Sequence, residues 1–108
     1  MKSIQEWQTE IHKLARDKGW YDGRPRESLE YHMLFCSEIA EASEAVRHGQ
    51  DPLWFNAGKP EGELAELSDA VIRILDYCAY RGWDLERAIE LKHSYNLTRS
   101  YRHGGKLV

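Results

Sequence analysis

Apolar residues recur at helical spacing through most of the chain. Ser3 and Glu6 form an S-x-x-E capping box, followed by Ile4, Trp7, Ile11 and Leu14, which predicts a first helix running to about Lys18 and stopping at Gly19. Trp20 to Arg26, with Gly23 and Pro25, reads as a loop. A second helix is predicted from near Ser28 to Gly49. Leu29, Met33, Cys36, Ala40 and Ser43 form one stripe on it, and Phe35, Ile39, Ala42 and Val46 the next. So wide an apolar arc predicts burial on more than one side. Residues 50–59 read as a loop carrying Leu53, Trp54 and Phe55. Pro60 suits the first turn of a third helix, with Glu61 and Glu63 near its positive end. Leu64, Leu67, Val71, Ile74, Leu75 and Cys78 carry that helix to about Arg81, and Gly82 ends it. Asp84 caps a fourth helix through Leu85, Ala88 and Ile89 to about Asn96. The tail from Ser100, with Gly104 and Gly105, reads as irregular. No strand alternation, repeat or low-complexity segment stands out. The expectation is an all-α antiparallel bundle of four main helices in a single domain, 1–108.

Composition narrows this picture. A chain of 108 residues suffices for one domain, and 42% hydrophobic with 31% charged residues fits a folded protein. A chain this short leaves apolar surface uncovered, which predicts self-association. The net charge of -3 argues against a general nucleic-acid coat. No stretch has the length of a membrane span, and MKSIQEWQTE lacks the apolar core of a signal peptide, so a cytoplasmic location is expected. Cys36 and Cys78 sit among apolar neighbours and read as buried thiols in a reducing compartment; no CxxC supports a zinc site. Arg99, Arg102, His103 and Lys106 form an acid-free basic end, suited to an anion such as phosphate.

The candidate chemistry lies in the carboxylates. Glu38 and Glu41 are three residues apart, nearly one turn, and project from one face of the second helix; Glu66 and Asp69 repeat the spacing on the third. If these helices pack antiparallel, four carboxylates converge. Such a cluster repels itself unless a cation is present, and Mg²⁺ prefers oxygen ligands while keeping waters that phosphates can replace. Leu34 and Ala45 along the Glu38/Glu41 stripe embed the acids in apolar surface. Spacing alone leaves a metal site and two solvated acidic faces as alternatives. Glu90 and His93 form one E-x-x-H pair where a di-iron bundle uses two, and His93 is expected on a solvated face.

The sequence ExxE at Glu38 and Glu41, then ExxD at Glu66 and Asp69, resembles the signature of the MazG-like all-α nucleoside triphosphate pyrophosphohydrolases. The K-x-x-x-N-x-x-R pattern of Lys92, Asn96 and Arg99 is similar to that family's phosphate-contacting segment, and Lys18–Asp22, KGWYD, looks like the loop after its first helix. The resemblance covers nearly the whole chain. It implies hydrolysis of a (deoxy)nucleoside triphosphate between the α- and β-phosphates, giving a nucleoside monophosphate and pyrophosphate, in nucleotide-pool house-cleaning. It implies Mg²⁺, with Mn²⁺ as a substitute, held by Glu38, Glu41, Glu66 and Asp69. It also implies a homodimer or homotetramer whose interface completes the bundle. Some relatives carry a further glutamate just before the ExxE pair, where this chain has Ser37.

On that reading Glu38 orients the attacking water and accepts its proton. Lys92 and Arg99, sharing a helix face with Asn96, hold the outer phosphates. Trp20 and Trp54, with Tyr21 and Phe55, lie in loops where they can stack on a base or instead cap the bundle and fill an interface. His12 is a further candidate contact to the base. Arg73 and Asp76 continue the Glu66/Asp69 stripe and suit ion pairing as well as a substrate role. Two other functions fit the sequence: a helical interaction module with no catalysis, and a hydrolase of the same fold acting on dUTP or a phosphoribosyl compound.

Overall fold

Ser3 opens the chain's first helix by the reciprocal bonds its sequence predicts: its hydroxyl accepts from the Glu6 amide at 3.1 Å, and Glu6 accepts from the Ser3 amide at 3.0 Å. The computed structural model describes residues 1–108. It is mostly helical, with α1 Ile4–Asp17, α2 Ser28–Arg47, α3 Glu63–Tyr80, α4 Leu85–Leu97 and a single turn, α5, Arg102–Gly105. Asp84 caps α4 by accepting from the Arg87 amide. No helix is long and apolar enough to cross a membrane.

The segment between α2 and α3 departs from expectation. Trp54–Asn56 and Lys59–Glu61 pair as a two-stranded antiparallel hairpin, β1 and β2, with Phe55 opposite Pro60. Pro60 therefore belongs to a strand, not to the first turn of α3, which starts after Gly62. An edge strand tolerates a proline because one side of its ladder has no partner. Gly62 makes the junction possible. Its φ is +107°, and a Cβ there would collide with the carbonyl oxygens of Asp51 and Pro52. The Leu64 amide donates to that Pro52 carbonyl at 2.8 Å, so the hairpin is tied to the first turn of α3.

The hairpin reverses the chain, and α2 and α3 pack antiparallel. At one end of the pair, Tyr77 and Arg81 near the close of α3 both donate to the Ser28 hydroxyl at the start of α2, at 2.9 and 2.8 Å. α1 packs on α3. Buried Gln8 crosses to the α3–α4 turn, donating to the Trp83 carbonyl and accepting from the Leu85 amide. Glu86 of α4 in turn accepts from the Ile4 and Gln5 amides at the free end of α1.

The core is thin. Tyr31, Ala42, Ala45, Ala65, Ala70, Leu75, Tyr77 and Cys78 are its buried apolar members. The buried stripe of α2 runs through Tyr31, Glu38, Ala42 and Ala45, while Leu29, Met33, Ile39 and Val46 remain exposed, so the wide apolar arc is covered on one side only. Cys36 is exposed, contrary to expectation, and Cys78 is buried. α4 has no buried residue. The radius of gyration, 16.5 Å, exceeds the roughly 13 Å expected of a compact chain this long.

Candidate functional site

The antiparallel packing of α2 on α3 sets the two carboxylate pairs against each other. Ligand oxygens of Glu38, Glu66 and Asp69 lie within 4.8 Å of one another, and Glu41 joins the group through a hydrogen bond with Glu66. This arrangement could hold a metal ion. Glu38 is buried, Glu66 half-buried and Asp69 exposed, so the cluster opens to solvent at its α3 side.

Burial and facing carboxylates shape the electrostatics. Burial, then the hydrogen bond and charge of Glu41, then Asp69 and Glu38, push the Glu66 carboxyl up to about 7. Burial and the Glu38 charge raise Asp69, opposed by Arg73 and Lys59. Arg73 donates from Nε to Glu38 Oε1 at 2.6 Å, a charge-assisted bond that fixes the buried carboxylate. Lys59, on β2, pairs with Glu61 at 3.1 Å, and its charge is felt by both Glu66 and Asp69. The sequence gives no sign of this lysine's position, because the hairpin that carries it has no strand-like alternation.

A cavity of about 330 Å³ adjoins the cluster, between α1, α2 and α3. Glu38, Asp69 and Arg73 form part of its wall, and Trp20, Tyr21, Tyr31 and Phe35 supply aromatic surface. The space has the scale of a small-molecule site. Asp76, two turns beyond Asp69, lines it too and accepts hydrogen bonds from His12 Nδ1 at 2.8 Å and the Tyr21 hydroxyl at 2.6 Å. Tyr21 also stacks on Tyr80 with ring centroids 4.7 Å apart. Arg73 and Asp76 are thus both engaged in pairing, one at each part of the cavity wall.

Other expected site residues lie elsewhere. Trp54 does not line the cavity; its indole donates to Gln50 at 3.2 Å. His12 does not line it either, being turned to Asp76. Lys92 and Asn96 are exposed on α4, and Arg99 lies past the Thr98 cap rather than on the helix. Lys92 and Arg99 instead flank the Tyr95 ring, at 6.0 and 5.9 Å from its centroid. None of the three joins the carboxylate cluster or the cavity wall. The tail forms one turn with left-handed backbone at His103 and Gly104, close to the irregular end expected. Comparison with protein-family models, curated proteins and solved structures yields no match to this chain.

Proposed function

We propose that this chain is a Mg²⁺-dependent nucleoside triphosphate pyrophosphohydrolase, releasing pyrophosphate and a nucleoside monophosphate. The observation that carries the reading is the meeting of Glu38, Glu66 and Asp69 beside an aromatic-walled cavity of nucleoside scale. The donor set fits a hard divalent cation. It is all oxygen, and one of its carboxyls is driven toward protonation by burial and by its neighbouring carboxylates. Glu38, Glu41, Glu66 and Asp69 would hold the ion. When bound, it would polarise phosphate oxygens and acidify a water.

The chain's own residues do the rest. Arg73 holds one oxygen of Glu38, leaving the other to orient a water at the α-phosphate and accept its proton. Trp20 receives the base by stacking. Self-association as a dimer or tetramer belongs to the same reading, supported by the unburied α4 and by exposed Leu29, Met33 and Val71. It would give Lys92, Asn96 and Arg99 a route to the phosphates that a single chain lacks.

The test is a panel of ribo- and deoxynucleoside triphosphates with Mg²⁺, its products separated by chromatography. Monophosphate and pyrophosphate are expected, and chelation should abolish them. Orthophosphate with a diphosphate would overturn α–β cleavage. A folded protein that turns over no nucleotide would favour the interaction module.

A further inference from the structure

Asp76 shares a face of α3 with Asp69, seven residues on, or about 10 Å along the helix. It lines the same cavity, and the metal-site reading gives it no task. Both of its oxygens accept from buried-side partners, Oδ1 from His12 and Oδ2 from Tyr21. The consequence for the cavity lies in which donors remain.

A tyrosine hydroxyl has one hydrogen, and that of Tyr21 is committed to Asp76. Burial first, and the bond to Asp76 second, hold the phenol protonated far above its ordinary range, so the roles of the two groups do not reverse. Toward the cavity the Tyr21 oxygen can only accept. A carboxylate has about four lone-pair sites. Two are used here, and those left on Asp76 also only accept. Lys18 and Arg26 line the cavity as well, but the hydrogen bonds of Asp76 and Tyr21 are to each other and to His12. This part of the wall is therefore a fixed pair of acceptors, stiffened by His12 and by the Tyr80 ring stacked on Tyr21.

We propose that the Asp76–Tyr21 pair makes the cavity select cytosine, with its exocyclic amino group, over its oxo counterpart uracil. The inference rests on the reading above that the cavity receives a nucleotide. Two helical turns separate the pair from Asp69, the length scale from an α-phosphate to the far edge of its base. An amino group there donates to the acceptors. An oxo group sets lone pairs against lone pairs, and both sides lose water without gaining a bond. The ring N–H of uracil does not rescue the fit. It is flanked by an oxo oxygen on each side, so bringing it to Asp76 carries one of them onto the Tyr21 acceptor. Sites built to pair a ligand's N–H strongly reject the analogue lacking it, and about tenfold or more is expected.

The test separates base reading from catalysis. With excess chelator, the full chain is titrated with CMP and UMP and followed by protein NMR chemical shifts. CMP should bind at least about tenfold tighter than UMP. Asp76→Asn, which places an amide donor at the wall, should bring that ratio close to one. If the variant fails to fold, the wild-type ratio decides alone. Equal affinities, an oxo preference, or no binding of either nucleotide would overturn the inference. Amino-selective binding without triphosphate turnover would support it while sinking the hydrolase reading. Turnover that treats dCTP and dUTP alike would sink the selectivity and leave the hydrolase standing.

Discussion

Two acidic sites occupy one face of α3 and are stabilised in opposite ways. At Glu66 and Asp69, with Glu38 and Glu41 opposite, carboxylates face carboxylates, and Arg73 gives its hydrogen bond to Glu38 while Arg73 and Lys59 act on Asp69 by charge only. At Asp76, two turns along, a single carboxylate receives one donor on each oxygen. The first has more carboxylates than donors. The second is satisfied, and a satisfied buried polar network fixes the positions of its members. Similar residues on one stripe thus divide into a place that could hold a cation and a place that holds its neighbours still.

The sharpest way to break the contrast is through Glu38. Glu38→Gln keeps an acceptor for Arg73 and removes the proton acceptor, so turnover should fall by about 100-fold or more. The thermal transition should stay close to that of the parent. Retained turnover would remove Glu38 from the chemistry and reduce its pairing with Arg73 to packing.

The satisfied site should respond in stability. Asp76→Ala strands His12 and the Tyr21 hydroxyl together, and urea unfolding should show a loss of about 2 kcal/mol. Asp69→Asn removes one like charge from the crowded site and, without metal, should cost nothing or stabilise slightly. Equal destabilisation by both would show that the two sites are not different in kind.

How much of this was legible in the sequence follows from the range over which each signal acts. Capping at Ser3 and Asp84, and stops at Gly19, Gly49 and Gly82, are written within a few residues, and the helices appear where those signals place them. The convergence of the carboxylate pairs was legible too, because antiparallel helices with a matching three-residue spacing bring them together. The hairpin was not. Three-residue strands are too short for alternation, and Pro60 next to two glutamates imitates a helix start. The partners of Asp76 come from 64 and 55 residues away, and no local pattern links His12, Tyr21 and Asp76. The exposed face of α2, with Leu29, Met33, Ile39 and Val46, is at least as apolar as its buried one, so periodicity marks the helix without telling which side is covered.

The smallest effect probes the crowded site itself. Glu66 keeps its proton to about 7 in the fold against an ordinary 4.5. Between those values the unfolded chain has released the proton while the folded chain still holds it. Deprotonation therefore favours the unfolded state, and stability falls as pH rises from about 4.5 to 7. Unscreened, the shift would amount to roughly 3 kcal/mol. Glu66 is only half-buried, and solvent screening reduces this to about 1 kcal/mol. Asp69 is raised as well and adds with the same sign. Urea unfolding with chelator at pH 5 and pH 7.5 should show the decline, and Glu66→Gln should flatten it. Saturating Mg²⁺ should reverse it at the upper pH, because the ion binds the ionised carboxylates of the folded state. Asp76 has its donors built in, so a decline that survives Glu66→Gln and Mg²⁺ together would place its source outside the carboxylate cluster and undo the distinction between the two sites.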